Sequence, residues 1–256
     1  MTLSRTLPLL LLLAILLAAR ELPAQTPEQQ LRQANQLYQQ GKFTEARDAY
    51  GAILSGGHES PELFYNLGNA CYKTGAIAAA ILNYERARRL LPGDEDLRHN
   101  LQIANMVITD RIEPAPRLFV WDYWEGVKNW LSLSALTLTV YLFSLVLAVM
   151  VSIFFLARTY ALRKIAIVSG AGVLVVFLFL LVVFIARLGD VTRTDEAVVM
   201  SQIVTVKNSP DPKSSDAFVL HGGVRVQLID RVGSWSKVRI ADGKVGWLEA
   251  SAVEVI

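Results

Sequence analysis

Residues 131–186 read LSLSALTLTVYLFSLVLAVMVSIFFLARTYALRKIAIVSGAGVLVVFLFLLVVFIA. No Asp, Glu, Lys or Arg occurs between Lys128 and Arg158, nor between Lys164 and Arg187. At about 1.5 Å rise per residue, residues 131–157 and residues 165–186 each suffice to cross a hydrocarbon core of roughly 30 Å. Runs this long leave no polar face for water, so two buried helices of a soluble core are a poor alternative. The composition agrees: 53% of the 256 residues are hydrophobic, only 19% are charged, and the mean hydropathy is +0.36, too apolar for an ordinary soluble domain. The reading is a multidomain membrane protein with transmembrane helices at 131–157 and 165–186.

The connection at 158–164 carries Arg158, Arg163 and Lys164 and no acid. Short cationic loops stay in the cytoplasm, so both flanking regions are expected on the other face of the membrane. An independent signal agrees. Residues 1–24 open with Arg5, continue as an uncharged leucine-rich run from Thr6 to Ala19, and reach Leu22-Pro23-Ala24, the three parts of a secretory signal peptide. Cleavage is expected after Ala24, with an uncleaved anchor as the alternative. Between the amino-terminal region and the first span, residues 110–130 form a proline and aromatic juncture. Its Trp121, Tyr123, Trp124 and Trp130 favour the headgroup zone of a bilayer.

Charge excludes one class of partner. Residues 25–128 hold eleven cations and thirteen acids, and residues 187–256 hold nine of each, so neither polar region carries a nucleic-acid footprint. A single cysteine, Cys71, rules out an intrachain disulfide framework, a cysteine-rich zinc site and a CxxC pair. No cofactor or metal is expected.

A shift of 34 residues aligns Ala34 with Gly68, Tyr38 with Tyr72, Gly41 with Gly75, Ala46 with Ala80 and Tyr50 with Tyr84. That is a tetratricopeptide period. The second copy, LFYNLGNACYKTG at 63–75 followed by Ala80, Tyr84, Ala87 and Pro92, resembles the family's consensus. Small residues at Gly68 and Ala80 allow close helix approach, and Pro92 ends the second helix. A capping helix from Glu95 to about Thr109 completes an all-α repeat region at 27–109. Two repeats and a cap are few for such an array, so support from a partner, a second copy or the membrane surface is expected. On the concave face Asn35, Asn66, Asn69, Lys73 and Asn100 are candidates for binding an extended segment, against the alternative of a solvated helical face. A dicarboxylate clamp is disfavoured, because Leu31, Asp96 and Asn100 occupy its cationic positions. Cys71 reads as a buried, inert thiol.

After Arg187 the pattern changes to alternation at Ile203–Val206, Val224–Leu228 and Trp235–Ile240, which means strands. Residues 208–212 read as a loop, His221-Gly222-Gly223 as a tight turn, and Asp242-Gly243 as a hairpin before Lys244–Leu248. Five short strands in residues 197–256 predict a small all-β closed barrel. From Ala197 to Ile256 the chain, with VTVKNSPDPKS at 204–214 and VLHGGVRVQLIDRVGSWSKVRIADGKVGWLEASAVEVI at 219–256, resembles a bacterial SH3 domain. The resemblance implies that Trp235 and Trp247 line a peptide groove; the alternative is a structural role, with Gly246 permitting close strand approach.

The order of these parts, together with DEDLRHNL at 94–101, ITDRI at 108–112 and FVLHG at 218–222, resembles the BatE family of the bacterial Bat aerotolerance operon. The resemblance implies a non-catalytic periplasmic scaffold in the inner membrane. Its implied partners are Bat membrane proteins with von Willebrand factor A domains and, indirectly, a MoxR-type ATPase. The second reading is a cell-wall module whose barrel holds peptidoglycan while the repeats recruit a wall enzyme. The third, an enzyme, lacks support. His58, His99 and His221 are scattered, Cys71 lies mid-helix, and no HExxH, GxSxG, phosphate-loop or dinucleotide fingerprint occurs,.

Overall fold

The computed structural model describes residues 26–116 and 118–256. The signal peptide read at residues 1–24 lies outside them. The chain divides into two compact units, one ending at His58 and the other running from Glu59 to Ile256.

The first unit holds helices α1 (Pro27–Gln39) and α2 (Phe43–Ser55). Thr26 and Gln29 form a capping box ahead of α1, each side chain taking the other's backbone N–H, with Pro27 at the first helical position,. Gly41 ends the helix at φ 77°, and the Lys42 N–H returns 3.0 Å to the Leu37 carbonyl. That reversal needs a left-handed residue, so glycine is placed where a side chain would strain the turn. Ala34, Ala46 and Tyr50 face the interior and are fully buried.

The second unit begins by repeating this pattern 34 residues on. Helix α3 (Pro61–Lys73) is capped by Ser60, and after Gly75 comes α4 (Ile77–Leu90). A Cβ on Gly68 would lie 2.6 Å from the Tyr84 ring, so the absent side chain is what lets the two helices close. Helix α5 (Glu95–Val107), capped by Asp94, packs on α4 through Leu97, Leu101 and Ala104.

Three further helices follow. Helix α6 (Phe119–Asn129) leaves Phe119, Trp121 and Tyr123 exposed. Helices α7 (Leu133–Leu156) and α8 (Tyr160–Thr192) pair as a hairpin, and both are long and apolar enough to cross a membrane. Their apolar surfaces lie almost entirely outward, a state water does not tolerate over such an area. Gly170 brings α8 against Met150 of α7, where a Cβ would meet the Met150 Cβ at 3.5 Å. The connection differs from the sequence expectation. Residues 160–164 are helical, so Arg163 and Lys164 belong to the start of α8, and only residues 157–159, with Arg158, link the two helices. At its other end α8 continues past Ala186 to Thr192. Charged residues end a hydropathic run without ending a helix, because the backbone ladder is indifferent to side-chain polarity.

The carboxy-terminal domain is an antiparallel sheet of seven strands rather than five. They are β1 (Glu196–Val199), β2 (Ile203–Lys207), β3 (Asp216–His221), β4 (Arg225–Val232), β5 (Trp235–Arg239), β6 (Val245–Glu249) and β7 (Val253–Val255). Their order is β3-β2-β6-β5-β4-β1-β7, and no ladder joins β3 to β7, so hydrogen bonds do not close the sheet. It wraps one core containing Val199, Val206, Leu220, Val226, Val238 and Leu248. Strand β1 buries Ala197, Val198 and Val199 in succession, because α4 packs on the side turned away from that core,.

Candidate protein-binding site

In the first unit the Tyr50 hydroxyl donates to Asn35 Oδ1 at 2.7 Å. In the second, the Tyr84 hydroxyl donates to Asn69 Oδ1 at the same 2.7 Å. The period of 34 therefore carries a tyrosine–asparagine bond between the two helices of each repeat. Asn100 adds a third member, its Nδ2 donating to Asn69 Oδ1 and to the Tyr65 hydroxyl, each at 2.9 Å. Two residues read as ligand-binding candidates, Asn69 and Asn100, thus tie the cap to the repeat, and Asn35 locks α1 to α2. Asn66, Asn69 and Lys73 follow helical spacing along one face of α3; Lys73 is exposed and Asn66 half-buried. The second unit brings Asn66, Asn69, Lys73 and Asn100 to one surface. Cys71 is buried.

Ladder register places the barrel candidates. Trp235 is opposite Glu249, Lys237 opposite Trp247, and Lys207 opposite Trp247 on the other side. Residues directly opposite one another share a face. The inward positions are Ser236, Val238, Gly246 and Leu248, so Trp235 and Trp247 share the outer face, both half-buried. Lys237 Nζ lies 5.7 Å from the Trp247 ring centroid, within reach of a cation–π attraction. Gly246 has the steric role weighed from the sequence: a Cβ there would meet Val206 Cγ1 at 2.5 Å.

A feature the sequence did not reveal is the joint between repeat and barrel. Asp110, just past α5, accepts the His221 backbone N–H at Oδ2 (2.7 Å) and lies 2.9 Å from His221 Nδ1 through Oδ1. The Ala115 N–H donates to the Ala241 carbonyl at 2.9 Å, and Ile112 packs on the barrel core. From α4, Arg86 reaches Glu254 (2.9 Å) and the Val255 carbonyl (2.7 Å). The first part of the juncture at 110–130 is thus a strap on the barrel. No local pattern signals such contacts, since the bonded residues are more than 100 positions apart.

The same body reaches the hairpin. Lys128 at the end of α6 donates to Asp190 of α8 at 2.7 Å and pairs with Glu125 at 2.9 Å. Burial pulls the Lys128 ammonium down, but these two carboxylates outweigh it and hold its pKa above the ordinary lysine value,. Second repeat, cap and barrel therefore sit at one end of the α7–α8 hairpin. Among the described residues, no group of three or more His, Cys, Asp or Glu side chains is placed to hold a metal ion.

The family model described as Tetratricopeptide repeat matches residues 31–95, and that described as Bacterial SH3 domain matches residues 204–254. Among curated proteins none matches the chain. Helical repeat, two apolar helices and an SH3-like β-domain thus make up the fold. Both matched modules are, as a rule, non-catalytic and bind proteins or, for the barrel, cell wall.

Proposed function

We propose that this chain is a non-catalytic scaffold of the bacterial inner membrane, with repeats and barrel on the periplasmic side and the α7–α8 turn in the cytoplasm. The observation that carries this reading is the set of contacts from Arg86 and Asp110 to the barrel and from Arg187 of α8 to the Arg89 carbonyl of α4, through which α4, α5, the barrel and α8 meet at one end of an apolar hairpin. A platform of that kind offers two interaction surfaces at fixed spacing, so a partner held by one raises the local concentration of whatever the other recruits. On the second repeat the contact residues are Asn66 and Lys73, on the helix face that Asn69 and Asn100 brace from within; on the barrel they are Trp235 and Trp247. The arrangement resembles that of BatE proteins, and the partners are Bat membrane proteins bearing von Willebrand factor A domains, coupled indirectly to a MoxR-type ATPase.

Affinity purification of the full chain after cross-linking in its native membrane tests this. Recovery of von Willebrand-type membrane proteins, cross-linked to residues 27–109, is the expected result. Recovery of peptidoglycan enzymes or muropeptides alone, with cross-links confined to the barrel, contradicts it. That outcome favours the cell-wall reading, for which Trp235 and Trp247 on the same outer face, with Lys237 against the Trp247 ring, are the specific observation.

A further inference from the structure

Arg187 is 2% exposed, and its Nε has no hydrogen-bond partner among the described residues. It stands on α8 immediately after the apolar run that ends at Ala186, and its Nη2 donates to the Arg89 backbone carbonyl at 2.6 Å. A guanidinium buried beside a neutral carbonyl, with a donor unsatisfied, is costly, because burial strips its hydration and no carboxylate among the described residues lies close enough to pair with it,. Arg187 lines a cavity of about 410 Å³ between α4, α6, α8 and the barrel.

The charges around that cavity do not cancel locally. Arg88, Arg89, Arg187, Arg193 and Arg225 line it together with Glu85, Glu125, Asp190 and Glu196. Most of these acids are already engaged: Glu85 accepts from Arg88 at 2.6 Å, Asp190 and Glu125 are held by Lys128, and Glu196 lies 3.9 Å from Arg225. Arg193 is paired with Asp195 outside the lining set. Among the described residues, Arg187 and Arg89 are the two lining cations that form no ion pair.

We infer that this cavity is a binding site for a phosphate group, with Arg187 as its buried anchor and Arg89 as its second donor. A phosphate oxygen supplies the acceptor that Arg187 Nε lacks, and a guanidinium presents its donors in the fork that phosphate oxygens match. The phosphate comes from a phospholipid headgroup or from free phosphate. The headgroup source rests on the membrane reading above, since Arg187 then lies at the level where the second span leaves the hydrocarbon.

The test uses the full chain in dodecyl maltoside, stripped of lipid, with thermal unfolding followed by tryptophan fluorescence. Phosphatidylglycerol and inorganic phosphate are titrated separately at constant ionic strength. The unfolding midpoint rises with at least one probe, and Arg187→Gln requires roughly tenfold more of it, as loss of a charged hydrogen bond implies. Arg89→Gln, at a half-buried position, shows the same loss of response and carries the test if the Arg187 variant does not fold. A rise with phosphatidylglycerol alone assigns the phosphate to a lipid headgroup, and a rise with inorganic phosphate assigns it to the free ion. No rise with either probe, or a rise that persists undiminished in the variants, overturns the site. Release of the protein from membranes by alkaline carbonate contradicts the membrane reading instead, and leaves the inorganic phosphate titration a valid test of the cavity.

Discussion

Tyr50 and Tyr84 occupy equivalent places, and each closes its helix pair with one hydroxyl bond to an asparagine one helix back. Tyr84→Phe keeps the ring in place and removes the donor to Asn69. It should cost about 1 kcal/mol in denaturant unfolding of the purified chain, the usual worth of a neutral hydrogen bond. Gly68→Ala acts on the same ring from the other side. With Cβ 2.6 Å from Tyr84, overpacking should cost about 1–3 kcal/mol and lower the unfolding midpoint more than Tyr84→Phe does. The small and aromatic positions of the repeat were legible because spacing alone identifies them. The part played by Asn69 and Asn100 was not, since an asparagine on a helix face looks the same in sequence whether it awaits a ligand or a tyrosine.

Strap and hairpin contacts decide how the elements hold together. Asp110 accepts a backbone N–H and meets the His221 ring, so Asp110→Ala strands a half-buried donor. It should cost about 1–3 kcal/mol and speed hydrogen exchange at His221 and along β3, while strands β5 and β6 keep their protection. Lys128 gives a pH-dependent case. Its pKa is raised on folding by Asp190 and Glu125, so its contribution is complete below the unfolded lysine value of about 10.4 and is lost as pH climbs through the folded value. Asp190→Asn removes one of those carboxylates and should let α6 loosen at a lower pH, read as acrylamide quenching of Trp121 and Trp124. Strands β2, β4, β5 and β6 were legible by their alternation. Strand β3 falls between the loop and the turn identified from the sequence, with only His221 in the turn, and three-residue β7 is too short to show a period. The extent of α8 was obscured because Arg163, Lys164 and Arg187 interrupt hydropathy but not the helix.

At the largest scale, second repeat, cap, barrel and hairpin belong to one compact unit, proposed above to stand on one face of a membrane. Class of fold was legible from two charge-free runs, a 34-residue period and an alternating carboxy-terminal segment, each a local pattern. The assembly of those parts was not, because Arg86 with Glu254 and Asp110 with His221 are brought together only by the folded chain. The central claim is tested most directly by thiol labelling of intact spheroplasts. In a Cys71→Ala background, Asp242→Cys reports on the barrel and Arg158→Cys on the turn between α7 and α8. The account predicts that a membrane-impermeant maleimide labels Asp242→Cys in intact spheroplasts and Arg158→Cys only after the membrane is broken. Labelling of Arg158→Cys in intact cells, with Asp242→Cys protected until lysis, would contradict it.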